Sequence, residues 1–495
     1  YVSFDEVMPI LPEDPLATSV GGIRRRRDYF AFYTEATTTY AQTLCAWMRE
    51  RGIDTPFIHN SANPGMNAYF AGMVETLDSA FLLGSDHYYN LSQSWPQNNP
   101  TPQYARNVFL SNEELRLFGY PPTVLELPSG SASDWPPITV HDAIACYMTN
   151  LAYGMKGHNY YVFTGGPNPP GVGETTDSYD YGAPIGADGQ QRPLYEAQAE
   201  VGRFIGRNPW LVRAARAGDC RVALDLEYGR ADRFWRDRGD SLVGPEEAWR
   251  FMNEGLLTTA FCASLSPTCI SLDGDDWVTD TSTPLLVASA ESMMRAHQER
   301  LVAFLKRGGS ALIAPIVPRL DEELEPCTVL GDYLAAPSAR LATEAVVRVV
   351  VRGPDSDVTN VLKNRVFYPE TVPQGANVVS FDERTGTAIG YEMATPHGGR
   401  VIVLGLLWDH RKHEQTAMLQ AMMARLGLRQ RVACSNPNVW TSLRVSGDHG
   451  ILFLVNLFTS PMKTTVGYRS STEGWVDLGE HTVPAVSVVP LAVHP

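Results

Sequence analysis

Four short apolar runs, each closing on polar residues, constrain the fold of this 495-residue chain more than any other feature. They are TPFIHNS (55–61), SAFLLGSDHYYN (79–90), PTVLELPSG (122–130) and HNYYVFTGG (158–166). A continuous apolar run between turn residues reads as a strand buried on both faces, the pattern of a parallel sheet. Helical periodicity accompanies them. Residues 24–51 set Tyr33, Ala36, Tyr40, Leu44, Trp47 and Met48 at spacings of three and four, and a second helix is expected from Asp142 to Met155. This is the rhythm of (β/α) units, and polar residues at the C-terminal ends of strands are what a (β/α)8 barrel uses to build its site. Only four such strands precede a change of pattern near residue 200. Half a barrel cannot close its sheet, so the first half is expected upstream of Tyr1, as a lost segment or a companion chain. The Arg24–Arg27 run is read as a solvated or partner-facing edge.

A second α/β region starts near Cys220. RVALDLEY, TPLLVAS (283–289), a helix across Glu291 to Lys306, a stop at Gly308-Gly309 and SALIAPIV (310–317) together predict a flavodoxin-like open sheet. RVIVLGLLW (400–408) and a helix from His413 to Leu426 complete it. No Gly-rich phosphate loop sits at a strand-to-helix turn, so no nucleotide or other cofactor is assigned. From Gln430 onward, short alternating runs such as VWTSLRV and GILFLVNLF predict antiparallel strands. The fold class is therefore α/β. It comprises the C-terminal half of a TIM (β/α)8 barrel (1–205), a flavodoxin-like α/β domain (206–429) and a small antiparallel β domain (430–495).

A formal charge of -15 disfavours nucleic acid as a partner, because polyanion binding needs a basic surface to release counterions. No run approaches the ~20 apolar residues of a membrane helix. Seven cysteines, at 45, 146, 220, 262, 269, 327 and 434, are odd in number and form no CxxC, so neither a disulfide framework nor a zinc ribbon is indicated and buried thiols are expected. With no signal-peptide pattern in YVSFDEVMPI, cysteine usage favours a cytoplasmic location.

Glu126 interrupts the apolar strand TVLEL and precedes the turn PSGS, so its carboxylate is expected at the mouth of the sheet. Such a glutamate is either a nucleophile or a capping or salt-bridged residue, and spacing alone leaves both open. Asn60, Asp86 and Tyr88 end the two preceding strands and are placed either to hydrogen-bond a ligand at the mouth of the sheet or to cap loops. Asp409, His410, His413 and Glu414 read as a helix cap rather than a metal site.

The segment NYYVFTGGPN (159–168), followed by DSYDYGAPIGADGQQRPLY (177–195), resembles the last barrel strand and the Tyr-Asp-Tyr loop of family 35 β-galactosidases, and more loosely of family 42. The likeness covers residues 55–205. It implies a retaining exo-β-glycosidase acting on terminal β-D-galactosides, with a β-D-glucosaminidase or a non-catalytic carbohydrate-binding subunit as alternatives. It also implies Glu126 as nucleophile, Tyr161 as a contact near it, and Tyr179 and Tyr181 as walls of the sugar subsite. A Trp commonly follows the family's nucleophile closely. Here Ser131 stands in that stretch and the nearest indole is Trp135. The family's acid/base lies in an Asn-Glu pair before the long helix, and residues 1–54 contain none. It is therefore expected from the upstream half, with Asp5 and Glu6 as weak substitutes. Family 42 relatives oligomerise through the flavodoxin-like layer, so a homo-oligomer is implied.

Overall fold

A computed structural model describes residues 14–61, 81–88, 100–130, 138–172, 177–179, 182–234, 240–354, 356–363 and 365–495. The chain divides into two compact units, one formed by Gly218–Gln430 with the N-terminal stretch through Thr37, the other by Thr38–Ala217 with Arg431–Pro495.

The division falls inside α1 (Val20–Glu50), which stops where Gly52, at φ 78°, takes the left-handed conformation that only glycine adopts without strain. The predicted helix is present, but the predicted apolar stripe is not its buried face. Tyr33, Tyr40 and Trp47 are more than half exposed, whereas Ile23, Arg26, Phe30, Thr38 and Ala41 are buried. An aromatic stripe marks a face with something to bury, and Tyr40 and Trp47 on it are 65% and 54% exposed. The arginine run is not a solvated edge either: Arg24 bonds Glu323 and Glu325, Arg27 pairs with Glu227, and Arg26 is buried.

In the second unit β1 (Phe57–Ser61), β2 (Phe81–Asp86), β3 (Thr123–Pro128) and β4 (Gly157–Tyr161) form a parallel sheet in the order β1-β2-β3-β4. β2 is buried as expected and β3 is half-buried, but β1 and β4, the edges of the described sheet, are not, with Ile58 62% and Tyr161 41% accessible. Between β2 and β3 runs α2 (Pro102–Leu117), which strand reading passed over although Thr101-Pro102 is a strong start: the Thr101 hydroxyl caps the Tyr104 N–H and proline occupies the first turn. α3 (Val140–Ala152) opens with a capping box between Thr139 and Asp142.

The first unit holds one nine-stranded sheet. Its parallel part uses β5 (Cys220–Leu224), β6 (Pro267–Ser271), β7 (Leu285–Ala288), β8 (Ala311–Ala314) and the later strand Arg400–Leu404, in the spatial order β6-β5-β7-β8-(400–404), which is flavodoxin-like. Strands 347–352, 357–363, 377–382 and 388–394 extend it antiparallel, and these were not anticipated. All four residues of β7 and of β8 are buried, as a sheet covered on both faces requires.

Residues 432–493 fold as antiparallel strands whose inward side chains, among them Val432, Leu443, Leu452, Val466 and Tyr468, make one small core. Arg444 in this layer is fully buried, and its guanidinium donates to the carbonyls of Leu151, Met155, Leu211 and Ala214. A cation at the C-terminal end of α3 meets the negative end of the helix dipole and orphan carbonyls together. No described helix is long and apolar enough to cross a membrane.

Candidate active site

Glu126 owes its position to an irregularity in β3. Ser85 pairs with Val124 and Asp86 with Glu126 on one side, while on the other Val124 pairs with His158 and Leu127 with Tyr160. One extra residue, Leu125, is thus inserted just before the glutamate, and such a bulge re-aims the side chain that follows. The carbonyl displaced from the ladder is met by Asn159, whose amide donates to Leu125 O at 3.1 Å. Gly84 on β2 faces the bulge. A Cβ there would lie 2.4 Å from the Leu125 side chain, so the close approach requires glycine.

Three strand ends meet at this point. The Asn60 amide donates to Asp86 Oδ2 at 2.9 Å and to Glu126 Oε1 at 3.1 Å. The Tyr88 hydroxyl donates to Glu126 Oε2 at 2.5 Å. Both oxygens of Glu126 are therefore fixed by neutral donors, and neither is held by a cation in these bonds. Tyr88 is half-buried, and burial together with the nearby carboxylates holds its phenol proton firmly on oxygen. Asp86 is buried against a like charge: desolvation first, then Glu126, push its pKa up to about 7, with the Asn60 bond opposing.

Alternation along β2 points residues 86 and 88 to one side and His87 to the other. His87 is fully buried, with Nδ1 2.6 Å from Asn150 Oδ1 and Nε2 2.9 Å from Ser111 Oγ; Ser111 in turn lies 2.6 Å from Ser85 Oγ. Burial drives its pKa down to about 4, so it is neutral at ordinary pH. This network anchors the segment that presents Asp86 and Tyr88. Sequence reading did not find it, although an apolar strand carrying Ser-Asp-His-Tyr at its end was the available signal.

Tyr161 ends β4, 41% exposed, and its phenol is near enough to Tyr88 to add to the rise in that group's pKa. The Ser129 N–H donates to Tyr161 O at 3.0 Å, which joins the turn after β3 to the end of β4. The backbone of Tyr179 pairs with Gly166 in a two-residue bridge, which brings residues 178 and 179 to the segment after β4. Tyr181 and Trp135 lie outside the described residues. Asp409 pairs with Arg411, and His410 Nδ1 lies 3.1 Å from Thr259 Oγ1. Among the described residues no group of three or more His, Cys, Asp or Glu is placed to hold a metal ion. Cys262 and Cys269 are both buried thiols. A carboxylate held by two neutral donors beside a second, proton-retaining carboxyl can act as a nucleophile or charge stabiliser towards an electron-poor carbon.

Residues 245–369 match a family model described as "GLMA-like, second domain". By sequence, the chain is 30% identical over 244 residues to an exo-β-D-glucosaminidase of Pyrococcus horikoshii, covering 46% of this chain and 30% of that protein. A second exo-β-D-glucosaminidase, of Thermococcus kodakarensis, is 26% identical over 379 residues (72% and 45%). A β-1,2-glucosyltransferase of Ignavibacterium album is 22% identical over 496 residues (93% and 66%). The chain thus spans less than half the length of either glucosaminidase. By structure, it superposes on a GH42 β-galactosidase of G. stearothermophilus with a TM-score of 0.73 at 16% identity, covering 100% of this chain and 71% of that one. A β-galactosidase of Bacillus circulans sp. alkalophilus gives 0.71 at 14%, covering 99% and 72%. The chain has the fold of glycoside hydrolases of this kind.

Proposed function

We propose that the chain supplies the nucleophile side of a retaining exo-β-glycosidase, in which Glu126 attacks the anomeric carbon of a terminal β-linked sugar. An upstream barrel half supplies the acid/base that protonates the leaving oxygen and then activates water. One observation carries the reading: a glutamate set by a bulge at the C-terminal rim of a parallel sheet, with both oxygens positioned by neutral donors. That arrangement leaves the carboxylate free to form a bond, whereas a structural glutamate would be expected to sit in an ion pair. The exposed edge of β1 and the exposed Tyr40 and Trp47 of α1 support a further barrel half as a partner. Tyr161, Tyr179 and Tyr181 are proposed to wall the sugar subsite, with Asn60, Asp86 and Trp135 contributing contacts, because aromatic faces suit the C–H side of a pyranose.

The sugar is a terminal β-D-galactoside or a β-D-glucosaminide. The galactoside follows from the Tyr-Asp-Tyr and Gly-Gly segments; the glucosaminide follows from the two glucosaminidases matched by sequence. Nitrophenyl β-galactoside and β-glucosaminide offered to the intact protein decide between them. Glu126→Gln is expected to abolish hydrolysis of whichever is accepted while the fold is retained. Undiminished turnover by that variant overturns the nucleophile. Binding of sugar without hydrolysis by the intact protein points to a non-catalytic carbohydrate-binding subunit.

A further inference from the structure

Asp86 and Glu126 are partners in register on adjacent strands, and one amide, that of Asn60, donates to both. The described donors are unequally shared. Glu126 has a hydrogen bond on each oxygen, whereas Asp86 Oδ1 is buried with no partner. Around the pair stand Glu126 from β3, Asn60 from β1, the Tyr88 phenol on the segment of Asp86 itself and the Tyr161 phenol from β4; the neutral His87 is turned to Asn150 and Ser111. None of these is a cation. Two like charges one strand apart, with no cation between them, are disfavoured, and a buried carboxylate oxygen lacking a donor carries the full desolvation penalty. A neutral carboxyl at Asp86 relieves both, and the single negative charge then stays on Glu126, which has the extra donor.

We propose that Asp86 is a positioning residue carrying the proton of this pair, neutral while Glu126 is the carboxylate and ionised once Glu126 is esterified. This rests on Glu126 being the nucleophile. When a Glu126 oxygen forms its bond to the anomeric carbon, the glycosidic bond breaks, its electron pair goes to the leaving oxygen, and that oxygen is protonated by the upstream acid. The ester is neutral, so the repulsion that adds to burial in holding the proton on Asp86 disappears, the carboxyl becomes more acidic against burial alone, and the proton leaves to water. Water then attacks the anomeric carbon and gives a proton to the upstream base, the ester oxygen departs with its electron pair, and the restored charge on Glu126 draws a proton from water back to Asp86. In this way the charge of the rim stays at one through both chemical steps, and the Asn60 amide keeps an acceptor throughout.

The test is infrared titration of the carboxyl region in the intact protein, combined with covalent trapping by an activated 2-deoxy-2-fluoro glycoside. The wild type is expected to show a neutral carboxyl that ionises near pH 7. Asp86→Asn should remove that signal, and Glu126→Gln and the trapped enzyme should both move its midpoint downwards. Asn60→Ala should move it upwards, because the opposing bond is lost, and this gives a second reading should Asp86→Asn misfold. A signal that survives Asp86→Asn, or a midpoint unmoved by Glu126→Gln, overturns the shared proton. If the infrared shifts occur but the trap labels a residue other than Glu126, the nucleophile reading fails and the ionisation step falls with it, leaving only the coupling of the two carboxyls.

Discussion

The two parallel sheets of this protein carry charged residues at the same place, the C-terminal ends of neighbouring strands, and treat them in opposite ways. At the end of β2 and β3, Asp86 and Glu126 share one amide donor, Glu126 accepts from a phenol as well, and Asp86 retains a proton up to about pH 7. After β5 and β6, Asp225 and Asp273 instead grip one buried imidazole, with His297 Nδ1 3.1 Å from Asp225 and Nε2 2.9 Å from Asp273. Burial opposes a charge on His297, but the two aspartates outweigh it and push its pKa up to about 10. The nearby Tyr228 hydroxyl is likewise spent on backbone, donating to Ser292 O at 2.7 Å and accepting from Ala290 N at 3.1 Å. Satisfied charge holds a fold together; like charge left in contact, at a cost, marks a place kept for chemistry.

Exchanging the two behaviours by mutation tests that contrast. The largest expected effect is at Glu126→Gln, where turnover of the accepted aryl glycoside should vanish while thermal unfolding stays close to wild type. Asp225→Asn should do the reverse. Removing one partner from a buried ion pair costs about 3–5 kcal/mol, so urea denaturation should show a loss of that order, with activity per folded molecule retained. A loss of activity without a loss of stability would break the contrast. Tyr88→Phe removes one donor to a charged oxygen, a bond worth about 1.5–3 kcal/mol, and should lower kcat/KM roughly 10- to 100-fold, whereas Tyr228→Phe should lower only stability. Equal effects of the two on kcat/KM would remove the distinction between the sheets.

The smallest effects lie in the pH dependence of stability, and their signs differ. His297 has a folded pKa raised above its ordinary value of 6.5, so its contribution is complete below pH 6.5 and is lost as pH rises towards about 10. Asp86 has a carboxyl pKa raised from 3.8 to about 7, so the folded state prefers the proton and loses stability as pH rises from 3.8 to about 7. Asp86→Asn should therefore raise the unfolding midpoint relative to wild type more at pH 8 than at pH 4. A variant less stable by the same amount at both pH values would show that Asp86 is an ordinary satisfied carboxylate.

Much of the scaffold was legible because it rests on local signals. The four runs ending at Ser61, Asp86, Pro128 and Tyr161 appear as strands within a few residues of expectation, and Thr139-Asp142 and Gly52 mark helix ends by chemistry visible in one turn of chain. Periodicity misjudged α1 because a helix with an aromatic stripe and a second, mixed face offers two candidate interiors, and the choice depends on what packs there. The antiparallel strands over 347–394 pair locally, 347–352 with 357–363 and 377–382 with 388–394, but their alternation is short and interrupted by register shifts, so the period-2 signal is weak. Asn60, Asp86 and Glu126 were each named from strand ends, and the structure brings these three together. The described residues do not extend to Tyr181 or Trp135.

The sequence by itself determined which segments become strands, which end of each strand carries polar groups, and that position 126 interrupts an apolar run with a carboxylate, since all of these follow from period and residue type. Only the tertiary structure decided that Leu125 bulges, that Gly84 lets β2 and β3 close over it, and that Asn60 and Tyr88 reach the same glutamate from different parts of the chain. Those contacts join residues 26 to 66 positions apart, and it is burial and charge across such distances, rather than the identity of any one residue, that leave Asp86 holding its proton while His297 holds its charge.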